Sequence, residues 1–286
     1  MKKGENLILV MGATGQQGGA VARALLSAGH KVRAMTRNTT SDAATALAKA
    51  GAKVVQGNFD DGNSVKAAMD GAWGAFAVQN SWEAGIEGEE TQGKNIAQWA
   101  KDAGIRHYVY TSVGSAHRNT GIPHFDNKWR VEETIRGLGL PSFTILRPVF
   151  FMENFASPFF KPGIDEGAVT VGIGAETKLQ MIAAADIGQY GRVAFERHED
   201  LNGRAIDIAG DELTMPETAT KISSAAGREI SFQPAPIDQV RQFSDDFATM
   251  LEWFDSSGFE ADIEGNVNEF GIVPTQFADW ANAASW

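Results

Sequence analysis

The feature that most constrains the fold is a glycine-rich turn near the start of the sequence. In NLILVMGATGQQGGAVARALLSAG, an apolar run leads directly into three glycines spaced three residues apart, Gly12, Gly15 and Gly18. A helical pattern then begins and closes at Gly29. A buried strand, a tight turn and a helix in this order are the opening of a βαβ unit.

Strands and helices alternate regularly along the first half of the sequence. Apolar, β-prone runs predict strands at residues 6–11, 31–37, 52–58, 74–79, 107–112 and 141–148. Helical patterns fill the intervals at residues 18–29, 41–51, 64–71, 89–104 and 126–139. Such alternation predicts an α/β fold with a doubly wound parallel sheet of the Rossmann type.

The regular alternation ends near Pro148. Mixed short elements and glycine-rich stretches follow from there to Trp286, without a low-complexity linker. We therefore predict a Rossmann domain over residues 1–150. Residues 151–286 are predicted to form a smaller C-terminal domain that packs over the carboxyl edge of the sheet, on the substrate side.

The three glycines have distinct roles if the turn binds a dinucleotide. The first permits the tight turn, the second lets the backbone approach a pyrophosphate, and the third lets the helix pack closely. The helix N-terminus then offers N–H groups to the phosphates. Thr14, Gln16 and Gln17 lie between the glycines and offer further donors. The alternative is a glycine-rich turn that binds no ligand.

The end of the second predicted strand indicates which dinucleotide binds. An NAD site needs an acidic residue there for the ribose 2′-hydroxyl, but residues 31–41 contain none. The segment instead carries Arg37, whose planar guanidinium suits a 2′-phosphate. We therefore predict NADP(H) as the cofactor, held within residues 1–150. The alternative is that Arg37 is a solvated surface residue.

A polar segment follows the third predicted strand. It places Asn58, Phe59 and Asp60 where an adenine edge would lie. Asp60 is equally suited to cap the next helix.

Composition excludes several classes of protein. With no cysteine among 286 residues, the chain has no disulfide, no thiolate nucleophile and no cysteine-ligated zinc, and we expect no metal site. The formal net charge of −11 comes without a Lys/Arg cluster, which argues against direct nucleic-acid binding. No apolar run approaches the roughly 20 residues of a membrane helix. We expect a cytoplasmic protein that does not bind membranes.

The usual proton donor of short-chain dehydrogenases is missing. Those enzymes use Tyr-x-x-x-Lys, and none of the three tyrosines, Tyr108, Tyr110 and Tyr190, has a lysine four residues on. The segment HFDNK keeps the spacing with His124 in place of the tyrosine and Lys128 in place of the lysine. We predict that Lys128 contacts the nicotinamide ribose and that His124 is the proton donor. Alternatively, Lys128 is an exposed lysine on a helix, and His124 is a structural histidine.

An aromatic segment follows the sixth predicted strand. PVFFMENFASPFF contains five phenylalanines and one methionine. This stripe is consistent either with core or with a pocket lining. A pocket lined in this way would take a flat, apolar substrate.

Taken together, the motifs resemble those of the NmrA-like family, a branch of atypical short-chain dehydrogenases. The matching pieces are GATGQQGG, TRN, QGKNIA, HFDNK, LRPVFFMENF and the DIG at residues 186–188. The resemblance implies a Rossmann domain, a small C-terminal domain and a cleft between them. It implies cofactor contacts at the glycine turn and at Arg37, Asn58, Phe59, Gln79, Asn80, Lys94 and Lys128. It also implies that Phe150, Phe151, Met152 and Glu153 close over the nicotinamide end.

The resemblance leaves two functions open. One is an NADPH-dependent reductase of a small hydrophobic carbonyl, quinone or conjugated C=C acceptor. The other is a non-catalytic NADP(H) redox sensor that regulates a protein partner. A sugar-nucleotide epimerase is disfavoured because that chemistry relies on the missing tyrosine.

The assignment of Arg37 to the 2′-phosphate makes a direct prediction. Arg37→Ala should weaken NADPH binding far more than NADH binding, because only NADPH carries the phosphate. Titration of the purified variant with both cofactors measures this difference. Equal losses for the two cofactors would show that Arg37 does not bind the 2′-phosphate.

Overall fold

The computed structural model describes residues 4–286 and contains a central parallel sheet flanked by helices. In chain order the strands are β1 (Leu7–Val10), β2 (Lys31–Thr36), β3 (Lys53–Gln56), β4 (Gly74–Ala77), β5 (His107–Thr111), β6 (Phe143–Pro148), β7 (Phe150–Phe151), β8 (Ala168–Val171), β9 (Lys178–Ile182), β10 (Ala205–Ile208), β11 (Asp211–Thr214) and β12 (Ser231–Pro234).

The helices alternate with the strands of the first half and dominate the second. They are α1 (Gln16–Ser27), α2 (Asp42–Lys49), α3 (Gly62–Met69), α4 (Ser81–Asp102), α5 (Pro123–Gly137), α6 (Lys161–Asp165), α7 (Ala184–Glu196), α8 (Met215–Ala226), α9 (Ile237–Phe243), α10 (Asp245–Ser256), α11 (Ile263–Phe270) and α12 (Phe277–Ala283). Short 3₁₀ turns lie at Ala116–Arg118 and Met152–Ala156. No helix within residues 4–286 combines the length and apolarity needed to cross a membrane.

The main sheet has seven strands in the order β10-β6-β5-β4-β1-β2-β3, and every neighbouring pair is parallel. The predicted doubly wound α/β fold is therefore confirmed. β4 and β5 are buried along their whole length, as expected for strands that helices cover on both faces. The strand order reverses between β1 and β4. The carboxyl ends of these two strands therefore form the crevice in which such sheets bind ligands.

The main sheet continues beyond residue 150. After β6 the chain leaves the sheet, passes through β7, β8 and β9, and returns along α7 to form the edge strand β10 beside β6. α7 packs on α1 through glycines: a Cβ on Gly188 would lie 2.7 Å from the Ala20 carbonyl oxygen. The predicted boundary at residue 150 thus marks where the alternation is interrupted, not where the sheet ends.

The rest of the C-terminal half forms two small sheets and a set of short helices. The small sheets have the orders β11-β9-β7 and β12-β8. The aromatic segment mainly builds the core of this region, with Phe155 fully buried 5.4 Å from Phe277 and 5.3 Å from Phe160 between ring centroids. From the sequence, this aromatic segment could either form core or line a pocket. The structure places most of it in the core.

His107, at the start of β5, is a buried histidine whose ionisation is coupled to folding. Its Nδ1 lies 2.8 Å from Ser142 Oγ, and its ring packs against Phe195 and His198. Burial, reinforced by the neighbouring His198, lowers the pKa of His107 to about 3. The native state therefore holds this ring neutral.

We expect the free energy of unfolding to fall as the pH drops from 6.5 towards 3, because the unfolded chain takes up a proton that native His107 refuses. The contribution at pH 4 is roughly 3 kcal/mol. Urea unfolding of wild type and His107→Gln across this range measures the contribution. An identical pH dependence in the two proteins would contradict it.

Candidate functional site

A cavity of about 580 Å³ opens at the carboxyl ends of β1 to β4. Most of the predicted site residues line it. They are Gly12, Thr14, Gly15, Gln16, Gln17, Gly18, Arg37, Asn58, Phe59, Gln79, Asn80, His124, Lys128 and Phe151. The cavity thus brings together residues from the glycine turn, from the ends of the neighbouring strands and from α5.

The glycine turn has the geometry of a phosphate cradle. Gly12 has φ +61°, and a Cβ there would lie 2.8 Å from Val78 Cγ1. A Cβ on Gly18 would lie 2.3 Å from the Gly12 carbonyl oxygen, so only glycine allows α1 to pack this closely on the turn. Within residues 4–286, no side chain caps α1 and its first turn has no acidic residue. Its terminal N–H groups therefore remain available to an anion.

Arg37 lies at the cavity mouth with its side chain two-thirds exposed. Its Nη2 atom lies 2.8 Å from Glu83 Oε2, and both residues line the cavity. Beneath them, Thr36 Oγ1 lies 3.1 Å from Thr14 Oγ1, which joins the end of β2 to the glycine turn. Glu83 was not predicted as a site residue. Its position soon after β4 is the signal that could have identified it.

Gln79 is a buried amide without a partner. It is 4% exposed, it lines the cavity, and neither its Nε2 nor its Oε1 atom has a hydrogen-bond partner within the described chain. A buried amide is normally hydrogen-bonded, because an unpaired one keeps its desolvation cost. The adjacent Asn80 instead caps α4, its Oδ1 accepting the Trp82 N–H at 3.0 Å. Gln79 thus offers one donor and one acceptor to a ligand.

Lys128 is held by a buried carboxylate. Its Nζ atom donates to Glu89 Oε1 at 2.6 Å, and Asn127 Nδ2 donates to Glu89 Oε2 at 2.8 Å. Glu89 is 1% exposed and also lines the cavity. Lys128 is therefore largely buried and lines the cavity. It is not the exposed helix lysine that was the alternative in the sequence analysis. Sequence reasoning missed Glu89 because it lies on a different helix.

His124 is held by a carboxylate from the C-terminal half of the chain. Its Nδ1 atom lies 2.6 Å from Asp246 Oδ2, and its backbone N–H donates to Asp246 Oδ1 at 3.1 Å. Burial raises the pKa of Asp246, but the close His124 ring and the hydrogen bond from the His124 backbone N–H outweigh it and leave the pKa below its ordinary value. Asp246 is therefore an ionised carboxylate at neutral pH. It lies 122 residues from His124 in the chain, and no local pattern reveals it.

Four predicted cofactor contacts lie outside the cavity lining. Lys94 pairs with Glu90 at 2.6 Å, Met152 is fully buried, and Phe150 packs against Phe155. Glu153 Oε1 accepts the Ala184 N–H at 2.9 Å, and burial raises the pKa of this carboxyl. Phe150, Met152 and Glu153 pack within the C-terminal half, whereas Lys94 and Glu90 both lie on α4.

The tyrosines also lie away from the cavity. Tyr108 and Tyr110 are fully buried within the main sheet, and Tyr190 is buried in α7. No tyrosine is among the residues that line the cavity. Any proton donor in the cavity must therefore come from another residue type or from water.

Comparison with known proteins gives one family. The model of the NmrA-like family matches residues 4–280. An NmrA-like family domain-containing oxidoreductase, FrzB from Cladobotryum sp., is 31% identical over 256 residues, covering 80% of this chain and 76% of FrzB.

Solved structures share the fold. The NADPH complex of the Escherichia coli quinone oxidoreductase QOR2 has a TM-score of 0.81 at 21% identity, covering 97% of this chain and 99% of that one. The NADP complex of NmrA, a negative transcriptional regulator, has a TM-score of 0.74 at 22% identity, covering 99% and 91%.

The unpartnered Gln79 amide predicts opposite effects on folding and binding. Gln79→Met should raise the free energy of unfolding of the ligand-free protein by about 1 kcal/mol, because it removes an unpaired polar group. The same change should weaken NADPH binding about tenfold, since two ligand hydrogen bonds are lost.

Urea unfolding and calorimetric titration measure the two effects. The control is Gln98→Met on the exposed face of α4, which should change neither quantity appreciably. Lower stability of Gln79→Met with unchanged NADPH affinity would mean that the amide is structural.

Proposed function

Because this chain belongs to the NmrA-like family, we propose that it binds NADP(H) and uses NADPH to reduce a small, hydrophobic acceptor. The acceptor class is a carbonyl, a quinone or a conjugated C=C bond. The observation that carries the proposal is one cavity that joins the glycine turn and Arg37 to Lys128 and His124.

At the phosphate end, the chain supplies a backbone cradle and one guanidinium. The N-terminus of α1 receives the diphosphate, and the glycines let the backbone approach it. Arg37 holds the 2′-phosphate, Asn58 and Phe59 border the adenine, and Gln79 pairs with the cofactor in the middle of the cavity. The NADPH complex of QOR2 and the NADP complex of NmrA, which share this fold, support the choice of cofactor.

At the reductive end, the chain positions the acceptor and supplies a proton. Bound NADPH provides the hydride. Lys128, fixed by Glu89, orients the nicotinamide ribose. Because Asp246 holds Nδ1 of His124, the proton comes from the Nε2–H of the imidazolium form, which passes it to the hydride-reduced substrate and becomes a neutral imidazole. Phe151 and Asn154 line the same cavity and border the acceptor.

A second candidate is an NADP(H) sensor that regulates a protein partner. It is favoured by the absence of a tyrosine from the cavity lining and by the fold shared with NmrA, a transcriptional regulator. In a sensor, partner affinity changes with cofactor and cofactor affinity changes equally with partner.

Turnover separates the two candidates. NADPH oxidation is followed over a panel of quinones, enals, aryl ketones and triarylmethane dyes. With carbonyl acceptors, we expect His124→Gln to lower kcat by about 100-fold or more, since the proton donor is lost. Lys128→Ala should lower kcat/KM, while Lys101→Ala on the exposed end of α4 should not.

The outcome with quinones should differ from that with carbonyls. A quinone can take its protons from water, so His124→Gln should cost much less with this acceptor. Absence of turnover with every acceptor, in a protein that binds NADPH, would contradict the reductase and favour the sensor.

A further inference from the structure

An ion pair spans the mouth of the cavity at its adenosine end. Arg37 follows β2 and Glu83 follows β4, and these strands lie on opposite sides of β1. Their side chains meet at 2.8 Å between Nη2 and Oε2, above the groove that leads to the glycine turn. With 67% of the Arg37 side chain and 54% of the Glu83 side chain exposed, the pair is open to exchange with a ligand.

Glu83 lies on a separate turn at the start of α4. Residues 81–84 form one helical turn, capped by Asn80, and Gly85 then interrupts the helix with φ 73° and ψ 167°. This backbone conformation is accessible almost only to glycine. A Cβ on Gly85 would meet nothing within 4 Å, so conformation rather than space requires glycine here. The turn is thus joined to the body of α4 through a single permissive residue.

The same turn carries an exposed aromatic side chain. Trp82 lines the cavity and is 76% exposed. An indole ring exposed at the edge of a cavity offers an apolar face against which a ligand base can stack. The turn therefore presents one apolar and one acidic side chain at the place where the cavity would receive an adenosine.

While the Arg37–Glu83 ion pair is closed, the described residues at the adenosine end of the cavity offer no free positive charge to a phosphate. Among the described residues that line the cavity, Arg37 is the only arginine and Lys128 is the only lysine, and Lys128 is already engaged by Glu89. To bind Arg37, a 2′-phosphate must therefore replace Glu83 as its partner. The Glu83 carboxylate then either stays nearby and repels the phosphate or moves away. A ribose 2′-hydroxyl, as in NAD(H), is instead favoured by Glu83, because it can donate a hydrogen bond to the carboxylate.

We propose that Glu83 is a specificity-determining residue that competes with the 2′-phosphate of NADP(H) for Arg37. In the ligand-free protein Glu83 holds Arg37 across the cavity mouth. The phosphate displaces it, and the turn of residues 81–84 moves about Gly85 as Glu83 withdraws. Glu83 thereby reduces the discrimination between NADP(H) and NAD(H) that Arg37 alone would give. The inference rests on the assignment of the 2′-phosphate to Arg37 in the proposed function.

The test compares Glu83→Gln with Glu87→Gln, an equal charge change at an exposed position of α4 that does not line this cavity. Calorimetric titrations use NADPH and NADH, and then 2′,5′-ADP and 5′-ADP as fragments of the adenosine end. Glu83→Gln should raise the affinity for NADPH and 2′,5′-ADP about 3- to 10-fold, because an exposed ion pair no longer competes. It should not raise the affinity for NADH or 5′-ADP, and Glu87→Gln should change none of the four.

A second pair of variants separates this inference from the cofactor assignment. In an Arg37→Gln background, the gain from Glu83→Gln should shrink, because no guanidinium remains to be released. If Arg37→Gln selectively loses NADPH binding while Glu83→Gln leaves all affinities unchanged, the proposed role of Glu83 is wrong and the assignment of Arg37 to the 2′-phosphate stands. Equal losses of NADPH and NADH in Arg37→Gln would overturn the 2′-phosphate assignment itself.

Discussion

The close approach of α1 to the strand and turn before it is the constraint on which the rest of the structure depends. Because a Cβ on Gly18 would lie 2.3 Å from the Gly12 oxygen, no other residue lets the helix start so near β1. The far side of α1 also lies close to α7, where a Cβ on Gly191 would lie 2.6 Å from Val21 Cγ2. The two contacts fix α1 between the phosphate cradle and the helix that leads into β10, which ties the C-terminal half to the sheet.

The cavity balances each of its basic side chains with a carboxylate. The three pairs are Arg37–Glu83, Lys128–Glu89 and His124–Asp246, with separations of 2.8, 2.6 and 2.6 Å. In a chain with a net charge of −11, these pairs leave no unopposed cation among the cavity-lining residues of the described range 4–286 to attract anions indiscriminately. A ligand binds by exchanging with a carboxylate or by using backbone N–H groups. The exposed pair is the easiest to exchange, and the buried Glu89 pair is the most costly to break.

Local patterns were sufficient to predict six of the seven strands of the main sheet and the basic members of the cavity. Arg37 follows from the end of its strand, and Lys128 and His124 follow from a short motif with fixed spacing. Their acidic partners were not predictable, because Glu89 and Asp246 contact them only after distant helices have packed. The return of the chain to the sheet at β10 was missed for the same reason, since its pairing with β6 is set by tertiary packing.

Reductase and sensor functions rely on different ends of one cavity. In the proposed reductase, turnover depends on Lys128 and His124, which are fixed by buried or half-buried carboxylates and have little freedom to move. Sensing depends on a surface that changes when the cofactor binds, and the turn carrying Trp82 and Glu83 is exposed and joined to α4 through Gly85. The rigid end therefore suits chemistry and the exposed end suits signalling. Coupling between the two requires only that one cofactor span both ends, so the same fold can support either function without a change in its core.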